Sequence, residues 1–253
     1  MNASYDIIVS LGGNCYAAKQ LQHRGMRPFA LPLDWTFMSD DHSIRCLPSL
    51  ITTKFDGFCR YENMREIMSP VKRNDIWTYK FQDYGTMFGF VHHFHASLSD
   101  RDAFERSRAV ICRRINRFYQ KIQCAKSALF VLETSFAFDA NLLNDIYAAL
   151  HETFPEVEID LYSMQFFAPE PLSVRLADHI ELHTYVRSVD YVPDVRATSS
   201  EWAWIDELRI NGMPKARERR KSNVWIRCKY ALWKHLGKSL YRDGAGCIGI
   251  TVP

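Results

Sequence analysis

Tyr5-Asp-Ile-Ile-Val-Ser-Leu-Gly-Gly-Asn-Cys15-Tyr-Ala-Ala-Lys-Gln-Leu21 reads as a strand, a glycine turn and a helix in immediate succession. Ile7 to Leu11 is short, apolar and partly β-branched, the pattern of a buried strand. Gly12 and Gly13 supply the backbone freedom that a sharp strand-to-helix reversal needs. Asn14 is a favoured N-cap, so Cys15 is expected as the first helical residue. Gly25 then ends the periodic pattern, as a glycine just past a helix does. A thiol at a helix N-terminus sits beside unpaired N–H groups and a partial positive charge, which favour thiolate. The same N–H groups can hold an oxyanion. The bland alternative is a small buried cysteine in a tight turn.

Further along, apolar runs alternate with amphipathic ones. A basic and apolar helix is expected over Ala103 to Gln123, capped at Ser99-Asp100. A continuous apolar strand follows over Ala128 to Glu133, an amphipathic helix over Asp139 to Thr153, and strands over Val157 to Tyr162 and His179 to Val186. That order predicts an α/β fold with a mostly parallel central sheet flanked by helices. Strand character also marks Asn74 to Phe81 and Met87 to His95. In the second of these, strict alternation puts His93 and His95 on one face and His92 on the other. Arg106, Arg108, Arg113, Arg114, Arg117 and Lys121 are read as the polar face of the long helix, opposite Ile111, Ile115, Phe118 and Ile122.

The chain of 253 residues, 47% hydrophobic and 24% charged, can bury a sizeable core. It shows no run of eighteen or so apolar residues and no signal-peptide pattern, so neither a spanning helix nor secretion is expected. The seven cysteines form no Cys-x-x-Cys pair. A zinc cage is therefore not expected, and a reducing, cytoplasmic compartment is the simpler reading. Charge is unevenly spread. Pro214 to Arg242 holds ten Lys/Arg against one acid, so it carries +9 and leaves −6 for the rest of a chain of net charge +3. The division expected is an α/β domain over 1–210 and a basic helical appendage over 211–253. In that appendage Arg219, Arg220, Lys221, Arg227, Lys229, Lys234 and Lys238 alternate with Trp225, Leu232, Trp233 and Leu236. Such a helix can lie peripherally on an anionic membrane, or pack its apolar side on the acidic body. No recognition motif for nucleic acid is present, and nucleic-acid binding is not expected.

Four motifs in order, Ser-Leu-Gly-Gly-Asn-Cys15, Pro32-Leu-Asp34-Trp35, Phe90-Val-His92 and Arg113-Arg-Ile-Asn-Arg117-Phe118, resemble a family of unknown function described as papain-like cysteine peptidases. The resemblance covers roughly residues 5 to 135. It implies Cys15 as nucleophile, His92 as base and Asp34 as the acid that orients it, with no cofactor. The family has Asp after the histidine where this chain has His93, so His93 and His95 remain candidates for the base. Asn14 and the backbone at Cys15 and Tyr16 are the expected oxyanion donors. Glu133, ending a predicted inner strand, is a secondary candidate, because ligands gather at the carboxyl ends of parallel strands. His93 and His95 could also give two ligands to a metal, but no third with suitable spacing follows, and no metal is expected.

A looser resemblance joins the chain to papain-like capsule-polysaccharide biosynthesis proteins with a Gly-Asn-Cys motif and coenzyme A binding. That reading implies acyl transfer, with the basic face of the long helix holding the phosphates of coenzyme A. The function expected first is a cysteine-nucleophile hydrolase acting on a peptide, amide or acyl substrate through a thioester. A coenzyme A-dependent acyltransferase is the alternative, and a non-catalytic scaffold with a membrane-surface tail is the second.

Overall fold

The computed structural model describes residues 4–38, 40–73, 76–137, 139–186 and 200–211. In chain order the elements are β1 (Ser4–Tyr5), β2 (Ile7–Ser10), α1 (Cys15–His23), β3 (Thr36–Met38), α2 (Asp41–Arg45), α3 (Leu47–Thr52), β4 (Met64–Arg73), β5 (Ile76–Asp83) and β6 (Phe88–Phe94). After these come α4 (Arg101–Gln123), β7 (Ser127–Thr134), α5 (Ala140–Thr153), β8 (Glu158–Phe166), β9 (Leu172–Ala177), β10 (Ile180–Tyr185) and β11 (Arg209–Ile210), with a 3-10 segment, Ser200–Glu207, before β11. The basic appendage and its cationic residues lie outside the described residues.

The fold is α/β, and its main sheet is parallel only in part. Its order is β2-β7-β8-β10-β9. The first three pairings are parallel and β9 runs antiparallel to β10. Beside it stands a wholly antiparallel sheet, β3-β6-β5-β4, which the expected architecture lacked. Both differences have one origin. Leu172–Ala177 is largely exposed, so it never shows the apolar run of an inner strand. β4 mixes Arg65, Glu66 and Lys72 with apolar residues, and two register irregularities break its periodicity.

Alternation along the parallel strands divides the core. Ile7, Val9, Phe130 and Leu161 face one side and pack with Ile111 and Phe118 of α4 and Leu143 and Ile146 of α5. Ile8, Leu129, Val131 and Met164 face the other and pack with Ala17 and Leu21 of α1 and with Trp202, Ile205 and Leu208. That second layer is locked by Arg24, which is fully buried at the end of α1. Its guanidinium binds the Asp206 carboxylate at 2.9 Å and donates to the Trp202 carbonyl at 3.1 Å and to the Gln20 side chain.

Between α3 and β4 the backbone turns left-handed at Lys54, Phe55, Gly57 and Cys59. Each non-glycine residue there costs roughly 1–2 kcal/mol. The inner side of the loop offsets that cost. Phe55 and Phe58 are buried in the core, the buried Asp83 carboxylate accepts from Cys59 N at 2.8 Å, and Arg108 Nε donates to the Cys59 carbonyl at 3.1 Å.

Candidate active site

Cys15 is the first residue of α1, at the carboxyl end of β2, where its sequence placed it. The N-cap Asn14 is extended, and its side-chain oxygen accepts from Cys15 N at 2.7 Å. With that oxygen accepting, the carboxamide NH2 is the donor end of Asn14. At the far end Gly25 takes φ +70°, Gly25 N reaches the Gln22 carbonyl and Met26 N the Leu21 carbonyl, the Schellman pattern that a terminal glycine allows.

The two turn glycines are required on geometric grounds. Gly12 and Gly13 have φ of +86° and +96°, and a Cβ on Gly13 would lie 1.2 Å from the Glu133 carbonyl oxygen. The turn is therefore pressed against the end of β7, and Glu133 N donates to the Gly12 carbonyl at 3.3 Å. The buried Glu133 carboxylate accepts from Ala17 N at 3.0 Å. It thus occupies the N-terminal end of α1, where a negative charge is favoured. On its other side the turn meets the segment that carries Asp34. Met38 N donates to the Gly13 carbonyl at 3.2 Å, and the space beside Gly12 is bounded by Leu33 and Thr36.

Asp34 is 1% exposed. Its Oδ2 accepts from Arg27 Nη1 at 2.6 Å and from Leu31 N at 2.7 Å, while Oδ1 is buried without a hydrogen-bond partner. Burial pushes its carboxyl above the ordinary range, and Arg27 and the Leu31 N–H pull against that. The bond expected from Asp34 to a histidine is not made here; Arg27 takes its place. Arg27 also lies over the Trp35 ring at 4.9 Å, and Trp35 meets the His92 ring edge-on at 5.7 Å. Arg27 and Trp35 thus form one path of contacts from Asp34 to His92.

The three histidines do not alternate. His93 is buried, whereas His92 and His95 are both exposed. The cause is a register irregularity. Tyr79 pairs with Phe94 and Phe81 with Phe90, so four steps of β6 oppose two of β5. An extra pair of residues re-aims the side chains locally, a device common next to functional sites. His93 Nε2 lies 2.9 Å from Arg114 Nη1. Guanidinium only donates, so Nε2 must accept and the ring proton sits on Nδ1, which is buried without a partner. Burial, then the Arg114 charge, holds His93 well below the ordinary imidazole value. With its lone pair committed, His93 is poorly suited to take a proton.

Arg114 itself is 4% exposed, not on the solvated face of α4. Arg114 and Arg27 are the two site residues that sequence reading missed as such. Arg114 carried a signal, since it falls on the stripe Ile111, Arg114, Phe118, Ile122 at helical spacing. Arg27 carried none. Among the described residues no group of three or more His, Cys, Asp or Glu is placed to hold a metal, and no helix is long and apolar enough to cross a membrane.

The fold and site define an α/β protein with a cysteine on a strand–turn–helix junction and an exposed histidine on an adjoining antiparallel sheet. The chain belongs to the family described as "Putative papain-like cysteine peptidase (DUF1796)", which matches residues 6–162. An uncharacterized protein of Acanthamoeba polyphaga mimivirus, R408, is 27% identical over 139 residues, covering 49% of this chain and 60% of that protein. The match thus spans about three-fifths of the curated relative. No solved structure matches the chain.

Proposed function

We propose that the protein is a cysteine-dependent hydrolase in which Cys15 attacks an acyl carbon and His92 serves as the base. The observation that carries this reading is the placement of Cys15 as the first residue of α1 on a turn that admits only glycine. Family membership adds to it. His92 takes the thiol proton, the thiolate bonds to the acyl carbon, and the developing oxyanion is met by the Asn14 carboxamide and the Tyr16 backbone. Collapse expels the leaving amine or alcohol with that proton and leaves a thioester on Cys15. Water, deprotonated by His92, then cleaves the thioester and releases the acid. Asp34 and Glu133 serve as positioning residues, Asp34 through Arg27 and Trp35, and Glu133 through Ala17 N. Passing the same thioester to an acceptor hydroxyl is the acyltransferase variant of the scheme.

The test needs no known substrate. Cys112 and Cys124 are exposed thiols and act as internal references. With limiting iodoacetamide at neutral pH, Cys15 is expected to be alkylated ahead of both. His92→Ala is expected to slow Cys15 by roughly tenfold or more while leaving the references unchanged. Labelling of Cys15 no faster than Cys112 and Cys124 would rule out an activated thiol. Intact mass after incubation with peptide, amide and acyl thioester panels then reads the acyl group retained on Cys15.

A further inference from the structure

We propose that the cleft between the left-handed loop and α4 binds a small oxyanion carrying two or more charges, a phosphate ester or a polycarboxylate, at a site separate from Cys15. The cleft holds about 530 Å3 and runs between residues 54–62 and the outer face of α4 over 101–116. That volume is in the range of small-molecule sites. Its walls carry four cationic side chains, Lys54, Arg60, Arg101 and Arg108, against three carboxylates, Asp56, Glu62 and Glu105.

Two of the arginines are already oriented. Arg108 is anchored by Nε on the Cys59 carbonyl at 3.1 Å. Arg101 lies over the Tyr61 ring at 3.9 Å. The only carboxylate engaging this pair is Glu105, at 3.3 Å from Arg101 Nε and 3.7 Å from Arg108 Nη1, among the described residues. The terminal nitrogens of Arg101 have no hydrogen-bond partner among the described residues. Arg60 is held by Asp56 at 2.6 Å. These carboxylate contacts are solvent-exposed pairs between residues three or four apart, the kind that contributes least to stability. An incoming oxyanion with more charge than one carboxylate displaces them at little cost and meets planar donor forks matched to its oxygens.

The loop supports the same conclusion. Its strained backbone is secured from the core side by Phe55, Phe58 and Asp83. The outer side that this strain shapes is the wall of the cleft, and strain retained in this way tends to mark a binding surface.

Cys112 lines the cleft and is exposed, so it reports occupancy. The full-length protein is alkylated in inorganic pyrophosphate, in citrate, or in sodium chloride of matched ionic strength, and Cys112 modification is read by peptide mass. Saturable protection by pyrophosphate or by citrate, with Cys124 unprotected, is the expected result, and the arm that protects assigns phosphate or carboxylate. Arg101→Met combined with Arg108→Met is expected to weaken that protection by roughly tenfold or more. Glu105→Gln removes the competing carboxylate and is expected to strengthen it by roughly threefold. Should Arg108→Met unfold the loop, Arg101→Met alone carries the test, since that side chain lies on the solvent side. Protection no greater than in sodium chloride, or protection that Arg101→Met leaves intact, overturns the proposal. Cys15 labelling in the same samples is expected to be unaffected, which separates failure here from failure of the thiol mechanism.

Discussion

His92 and His93 are neighbours in sequence and opposites in environment. The first is exposed against Trp35, and the second is buried as an acceptor for Arg114. Because the folded state holds the His93 imidazole below its ordinary value of 6.5, the neutral ring stabilises the fold above that pH. The contribution is lost as pH falls from about 6.5 toward the depressed folded value. His93→Gln keeps an acceptor for Arg114 and removes the titration. Its melting temperature is expected to fall less steeply on the acid side than that of the parent, as scanning calorimetry would show. The place of Cys15 at the start of α1, its Asn14 cap and the terminal glycine were legible in the sequence because each is a local backbone requirement. The partner of Asp34 was not, because an ion pair seven residues apart in an irregular segment leaves no periodic trace. Arg114 was legible and misread. Its charge suggested solvent, while its position on the apolar stripe of α4 pointed inward.

At the scale of elements, α1 carries two acceptors at its start, the Asn14 oxygen on Cys15 N and the Glu133 carboxylate on Ala17 N. Under the proposed mechanism the carboxylate and the attacking sulfur share the same helix-end field. Glu133→Gln retains an acceptor and removes the charge. Alkylation of Cys15 at neutral pH is expected to rise by roughly two- to fivefold, the effect of one helix-end charge. A slower rate in that variant would mean that Glu133 favours the thiolate instead. The helices and inner strands followed from their patterns, with boundaries within a few residues. The register of the irregular strands, and β4 and β9 themselves, did not. β6 breaks alternation through its extra pair of residues opposite β5, and β4 and β9 lack an apolar run altogether. Period-based reading fails wherever an inserted residue or an exposed edge replaces the pleat.

Across the whole molecule, a buried cation ties the apolar layer over α1 together. Arg24 ties Asp206 and the Trp202 carbonyl to the end of α1 with no exposure of its side chain. Arg24→Met removes the donor to the Trp202 carbonyl and the guanidinium contact to Asp206. It is expected to destabilise the fold by about 2 kcal/mol in urea unfolding, the scale of a lost hydrogen bond to a charged group, and to raise cleavage by limited proteolysis within 200–211. The parallel core was evident in the sequence because its strands are nearly continuous in apolar residues. The second sheet was not, because its pairings span irregular segments with no shared period. That second sheet has a practical consequence. Cys15 stands on the parallel sheet and His92 on the antiparallel one, and the Met38 N to Gly13 carbonyl bond is one stitch across the seam between them. A slight parting of that seam would move the Cys15 turn relative to His92 while both sheets keep their own ladders. Heating should therefore silence the preferential alkylation of Cys15 several degrees before the circular dichroism signal collapses, so the reagent would serve as an early gauge of the joint and not of the fold.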